Sequence, residues 1–468
     1  MTIHHVSREH VVARPRSEVF AFFSRPENLE RITPAGMRFE LLSTDTAMRA
    51  ELRLVYRVRP LFGVPTTWVS RITGFDAPTS FVDVQERGPY ARWEHTHTFG
   101  DELVGGAVGT RITDSVLYEL PLGRLGDLLN ALLVRPRLAA IFDHRARAID
   151  RLLPAVAPRT DPLRVAVAGG SGFVGGAIAS ELQRRGETVI VLSHRPDRAR
   201  VDLPDGIEVR GADVAGASSL EPALQDVDAL VISLAFPNSP MESPRRGRTF
   251  EAVDAGGTER LVAAAAAAGV RRVVYISGAG AARSSSRTWF RAKWRAETAV
   301  RGSGIVYTII RPTWVYGPRD VALNRFLAFA KRLPFVPLTG SGRQRLAPVF
   351  VDDVARLAAD SLRDDAACDQ VFEIGGPETV SMREIIRTAL RISRVRRPLL
   401  PAPAALLKVA AWPLQFLPRP PLTPSAVDFV NQPATVDTAP LLARMPRRLT
   451  PLAEGLGTYL GRATGGNR

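Results

Sequence analysis

Residues Arg164-Val-Ala-Val-Ala-Gly-Gly-Ser-Gly-Phe-Val-Gly175 constrain this chain more than any other stretch. A short apolar run, a glycine turn and the start of a helix follow one another in the order that a nucleotide-binding strand–turn–helix requires. Gly169 permits the tight turn, Gly172 lets the backbone approach a diphosphate, and Gly175 lets helix and strand pack closely. The amides and positive end of a helix starting near Phe173 hold the phosphates, with Ser171, Phe173 and Val174 completing the expected cradle. The spacing is G-x-x-G-x-x-G, not the G-x-G-x-x-G of ordinary dehydrogenases.

Strand-like runs at 164–168, 188–192, 229–234, 272–276 and 307–311 alternate with helical stretches, the pattern of a doubly wound parallel α/β sheet. The second run ends Leu192-Ser-His-Arg195. NAD enzymes place an acid there for the ribose hydroxyls; Ser193 and Arg195 suit a 2′-phosphate instead, so NADP is expected over NAD. Asp213 and Val214 follow the third run and Leu234-Ala235 close the fourth; these four are expected along the cofactor, with Asp213 on the adenine amino group.

The region before residue 154 is patterned differently. Leu54, Tyr56 and Val58 alternate with Arg53, Val55, Arg57 and Arg59, and Ile112 to Leu120 alternate likewise, as half-buried antiparallel strands do. Val19, Phe20 and Phe23 mark a short early helix, and Leu138, Phe142, Ile149 and Leu152 the inner stripe of a long one. His95 and His97 share a strand face with Trp93. Two such histidines need a third ligand from elsewhere, His144 being the only candidate, so a cavity-lining or solvated pair is expected rather than a metal site. A proline- and alanine-rich break at 154–162 separates the two patterns, a linker between a first domain at 1–153 and a nucleotide-binding domain at 163–395, which a C-terminal region at 396–468 follows.

Composition narrows the class further. Apolar residues make up 45% of the 468-residue chain, enough for real cores, and the single cysteine, Cys368, excludes an intrachain disulfide and cysteine-based zinc clusters. No apolar run approaches the roughly 18 residues needed to span a bilayer, and a cytoplasmic protein is expected. The formal net charge of +15 is scattered, without a zinc finger or a base-reading motif, so no nucleic-acid partner is expected. Only Lys293, Lys331 and Lys408 are lysines among 62 basic residues, which makes a lysine inside a motif informative. The apolar stretch at 404–417, behind Arg391, Arg394, Arg396 and Arg397, suits either a cover over the substrate cleft or peripheral contact with an anionic membrane.

Several ordered motifs from residue 163 onward resemble the extended and atypical short-chain dehydrogenase/reductases. They are Gly-Gly-Ser-Gly-Phe-Val-Gly175, Val253-Asp-Ala-Gly-Gly-Thr258, Val273-Val-Tyr-Ile-Ser277, Ile310-Arg-Pro-Thr-Trp-Val-Tyr-Gly-Pro318, Val349-Phe-Val-Asp-Asp-Val-Ala355 and Phe372-Glu-Ile-Gly-Gly376. The part from Gln344 is similar to the nucleotide-binding accessory subunit of respiratory complex I. The resemblance implies a Tyr-x-x-x-Lys pair on one helical face, Pro312 beside the cofactor, and a catalytic serine after the fifth strand. Lys293 and Ser277 fill two of these positions, with Lys293 also on the nicotinamide ribose, but Trp289 stands where the tyrosine belongs, and indole exchanges no proton near neutral pH. Residues 1–153 resemble the SRPBCC (START-like) ligand-binding superfamily through Val11-Val-Ala-Arg-Pro-Arg-Ser-Glu-Val-Phe-Ala-Phe-Phe23, Asn28-Leu-Glu-Arg-Ile-Thr-Pro34 and Gly88-Pro-Tyr-Ala-Arg-Trp93. That implies an α+β helix-grip fold around an apolar cavity.

The expected protein is an NADP-binding oxidoreductase that acts on or senses a hydrophobic small molecule such as a quinone, lipid or polyketide. A non-catalytic NADPH-binding structural or redox-sensing module and an NAD-dependent sugar epimerase remain open beside it.

Overall fold

The computed structural model describes residues 2–460 apart from 60–64, 105–106, 122–125, 128–129, 158, 237–241, 243–248, 322, 325–326, 328–329, 331–333, 415–423, 425–426 and 428–433. Two compact units divide the chain: Met1–Pro158 with Val201–Gly206, and Arg159–Arg200 with Ile207–Arg468.

In the first unit, strand β1 (His4–Val12) leads into helices α1 (Arg16–Phe23) and α2 (Asn28–Ile32). Strands β2 (Glu40–Leu41), β3 (Arg53–Val58), β4 (Thr66–Asp76), β5 (Ser80–Arg87), β6 (Arg92–Val104) and β7 (Ala107–Glu119) follow, then helix α3 (Arg135–Leu152). The seven strands form one antiparallel sheet in the order β1-β7-β6-β5-β4-β3-β2. Alternation puts every second residue of β6 and β7 on the inner face. There Ile112 and Phe99 form one core with Phe20 of α1 and Ile149 and Leu152 of α3. Trp68, Trp93, Val116 and Tyr118 form a second with Leu138 and Phe142 of α3.

The second unit opens with β8 (Arg164–Ala168), helix α4 (Phe173–Arg184), β9 (Thr188–Ser193), β10 (Glu208–Gly211) and β11 (Ala229–Ile232). It continues through α5 (Gly256–Ala267), β12 (Arg272–Ile276), α6 (Thr288–Arg301), β13 (Val306–Pro312), α7 (Val351–Asp360) and β14 (Gln370–Ile374). The sheet order is β10-β9-β8-β11-β12-β13-β14, with every pair parallel. The centre of such a sheet is buried on both faces, which is why its inner strands are largely apolar. Ala166, Ile190, Leu230, Val273 and Tyr275 pack under Leu261 of α5 and Ala296 of α6. Val165, Val167, Val189, Val191 and Val231 are buried on the opposite side.

Leu452 and Leu456 enter a cluster with Tyr316, Phe350, Val351, Ile385 and Leu390. The helix at Ala404–Leu414 leaves Leu406 (62%), Val409 (70%) and Trp412 (61%) exposed. No helix among the described residues is long and apolar enough to cross a membrane.

Candidate functional site

The chain runs from β8 outward to β10, then returns to place β11 on the other side of β8, so a crevice opens beyond the carboxyl ends of β8 and β11. Register fixes what meets there: Ala168 pairs with Leu192 and with Ile232, so Gly169, Ser193 and Ser233 emerge side by side. Gly169 has φ +79°, and a Cβ on it would lie 2.4 Å from the Ser233 carbonyl oxygen. A Cβ on Gly175 would lie 2.3 Å from the Gly169 carbonyl oxygen, so only glycine lets α4 start this close to the strand. Gly172 is exposed, and its Cβ position meets only the Gly169 carbonyl oxygen, at 3.1 Å. The backbone at the positive end of α4 is therefore open to an anion, and the residues present fit a diphosphate. Phe173 and Val174 contribute main chain only, because their side chains pack into the core. The Ser171 carbonyl accepts a hydrogen bond from Arg319 (3.1 Å).

Beside the cradle, the Ser193 hydroxyl is buried and accepts from the Arg195 amide at 3.1 Å, which shapes the turn after β9. The Arg195 side chain is exposed. Asp213 accepts from the Ala215 amide (2.9 Å), closing its own turn with one oxygen. Val214 and Leu234 both approach within 3.3 Å of a Cβ position on Gly257, so that glycine makes room between them. Ala235 is exposed at the end of the next strand, and the Pro312 carbonyl accepts from the Ala279 amide at the far side of the crevice (2.9 Å).

Lys293 and Trp289 lie one turn apart on α6. The Lys293 ammonium donates to the Leu234 carbonyl at 2.7 Å and pairs with the buried Asp254 at 3.0 Å. Asp254 also accepts from the Phe236 amide at 2.9 Å, tying the segment after β11 to α6. Although burial opposes the ammonium, Tyr275 and Asp254 outweigh it and hold the Lys293 pKa above its ordinary value. Lys293 is thus a fixed cation, not a base. Around Trp289, Phe250 lies at 6.1 Å, Phe290 at 5.6 Å, and Phe236 at 5.2 Å from Phe250, an aromatic patch in place of a proton donor.

Ser277 does not stand ready for catalysis. Its hydroxyl donates to Glu297 at 2.6 Å, and Glu297 is fully buried between Arg311 (2.7 and 2.8 Å) and Arg301 (3.0 Å). The proton expected for a substrate is engaged in holding β12 against α6. Asp254 and Glu297 escaped the sequence reading, although Asp254 lies in a quoted segment, because nothing in a one-dimensional pattern tells which carboxylates fold inward.

The first unit holds a second candidate, a cavity of about 210 Å³ lined by Phe23, Trp68, Trp93 and Phe142. His95 and His97 reach it from β6. The group near them is Asp83, not His144: Asp83, His95 and His97 present ligand atoms within 4.8 Å of one another. His144 neighbours Arg145 in sequence, and adjacent helical residues point about 100° apart. Arg145 takes the inward position and pairs with Asp114 at 3.4 Å.

Comparison with known proteins accords with the crevice. Residues 169–365 match the NAD(P)H-binding family. The chain is 30% identical over 240 residues to the (4-alkanoyl-5-oxo-2,5-dihydrofuran-3-yl)methyl phosphate reductase of Streptomyces griseus, covering 49% of this chain and 73% of that protein. It is 29% identical over 258 residues to the mitochondrial NADH dehydrogenase (ubiquinone) 1 alpha subcomplex subunit 9 of Arabidopsis thaliana, covering 54% of this chain and 63% of that protein. The Thermus thermophilus UDP-glucose 4-epimerase, solved with NAD, superposes with a TM-score of 0.50 at 21% identity, over 65% of this chain and all of that one, which shows the fold. The second unit is a Rossmann domain of the short-chain dehydrogenase/reductase type, and the chain belongs through it to the NAD(P)H-binding family. Within that family it is related to the complex I accessory subunit.

Proposed function

We propose that this protein is an NADP-dependent reductase of the atypical short-chain type, acting on a hydrophobic carbonyl or quinone compound. The observation that carries the reading is the glycine cradle at Gly169–Gly175 beside an exposed Arg195, with no acid at the end of β9 to take ribose hydroxyls. The cofactor would supply hydride. Gly172 and the first amides of α4 would hold its diphosphate, Arg195 its 2′-phosphate, and Lys293, anchored by Asp254, its ribose side. The aromatic patch around Trp289 suits an apolar acceptor, and the proton that completes reduction would come from solvent because no tyrosine stands at position 289. The reductase name of the Streptomyces griseus relative, with its alkanoyl-bearing compound, points to the same substrate class. The first unit, read as an SRPBCC-like helix-grip domain, would bind a lipophilic molecule in its cavity.

The alternative is a module that binds NADPH without turnover, favoured by Trp289. Titration of the full chain with NADPH, followed by cofactor fluorescence, should give saturable binding tighter than that of NADH. Absence of binding at millimolar cofactor would remove both readings. Oxidation of NADPH with any member of a quinone and alkyl-ketone panel selects the reductase; saturable binding without turnover selects the module.

A further inference from the structure

The sheet register of the first unit assembles a polar cluster that no dinucleotide requires. Asp83 on β5 stands directly across from His95 on β6, and Asp114 on β7 directly across from His97. His95 and His97 are two apart on one strand and therefore share the inner face. Their rings lie 3.8 Å apart, with Phe81 stacked on His97 at 4.2 Å. His95, His97, Asp114 and Arg145 are all at least nine-tenths buried, and the cavity that they border is otherwise mainly apolar.

The hydrogen bonds fix which nitrogens face where. Asp114 lies 3.0 Å from Nε2 of His95 and 2.8 Å from Nδ1 of His97, and Arg145 holds it from behind at 3.4 Å. Arg145 donates to Nδ1 of His97 at 3.3 Å, which leaves that imidazole's own proton on Nε2, toward Asp83. With the His95 proton directed at Asp114, Nδ1 of His95 and Nε2 of His97 both face Asp83 Oδ2, at 3.7 and 3.4 Å. Two ring nitrogens and a carboxylate oxygen then converge within 4.8 Å, and a cation displacing the Nε2 proton of His97 would be held by all three, with Asp114 at 2.8 Å from Nδ1 to accept the proton there. A tetrahedral ion bound at 2.0–2.1 Å sets its ligands roughly 3.3 Å apart, close to these separations. Asp114 behind both rings is the carboxylate–histidine arrangement that orients metal ligands.

We propose that Asp83, His95 and His97 form a divalent transition-metal site of two nitrogens and one oxygen on the wall of the cavity. Charge supports it. With neutral imidazoles, two aspartates and one arginine leave one net negative charge in apolar surroundings, an expensive arrangement. A divalent ion carrying one anionic oxygen brings the cluster to neutrality. Three protein ligands leave a coordination position open, as catalytic sites do, so the ligand class is an apolar molecule with an acidic oxygen. Ser70 donates to the other Asp83 oxygen at 3.2 Å and fixes the carboxylate's rotation. The cofactor crevice plays no part in this inference.

The test uses the full chain, stripped with chelator and titrated with Co(II) alone. One equivalent should produce a visible d–d band that Zn(II) abolishes, and Zn(II) should raise the melting temperature of the stripped chain. Asp83→Ala, His95→Ala and His97→Ala should each weaken Co(II) at least 100-fold, and Asp114→Asn about 10–100-fold, as partners behind metal ligands do. Far-UV dichroism confirms folding of each variant, and the wild-type melting shift needs no variant at all. A stripped wild type that binds no Co(II) and shows no Zn(II) melting shift would overturn the site, leaving a cluster that holds only a proton. Undiminished binding by the folded alanine variants would overturn it equally.

Discussion

Arg195 and Ser277 illustrate how two residues chosen from the same kind of motif diverge once placed. Arg195 is exposed beside the glycine cradle, where a guanidinium is suited to phosphate. Arg195→Ala should weaken NADPH by about 1–3 kcal/mol, the range of a charge-assisted contact, and leave NADH unchanged. Fluorescence titration with both cofactors checks this; equal losses would contradict the NADP assignment. Ser277, in contrast, spends its proton on Glu297. Ser277→Ala should lower stability by about 1–3 kcal/mol, the cost of leaving a buried partner short of a hydrogen bond, without changing NADPH affinity. Denaturant melts and cofactor titrations on one preparation separate the two effects. The serine was legible as a strand-end residue; its partner was not, because Glu297 lies 20 residues further along the chain on α6.

At the scale of elements, the ion pair of Lys293 with Asp254 ties α6 to the turn that leads into α5. Removing the cation by Lys293→Met would leave Asp254 buried and uncompensated, a loss of about 3–5 kcal/mol. Because the fold raises the Lys293 pKa above 10.5, its stabilisation is complete below that value and lost only as pH climbs through the higher folded value. The melting difference between wild type and Lys293→Met should therefore be the same at pH 6 and pH 9. The neighbouring Trp289 sets the chemistry of the same helix. Trp289→Tyr would place a phenol one turn from the fixed ammonium, and general-acid help of this kind is worth about 10²–10⁴ in rate. At least a tenfold gain in NADPH-dependent ketone reduction is expected in steady-state assays. Five of the seven parallel strands were readable to within two residues, since both-face burial forces continuous apolar runs, as at Arg164–Ala168 and Arg272–Ile276. The helix at Ala404–Leu414 was readable as helix, but its exposed face was not, because an apolar stretch does not say whether anything covers it.

For the molecule as a whole, local order along the chain and assembly across it carried different information. The sequence by itself determined the nucleotide crevice, since strand, turn and helix are consecutive and only glycine tolerates the contacts that Gly169 and Gly175 make. It also determined that position 289 has no titratable hydroxyl, whatever the fold. The tertiary structure alone decided which carboxylates join the motif residues. Asp254 meets Lys293 across 39 positions of sequence, and Asp83 and Asp114 flank the histidines only because three antiparallel strands settle in one register. A shift of one residue in that register would send every one of those side chains to the opposite face, so no periodicity within a single strand could have announced the cluster.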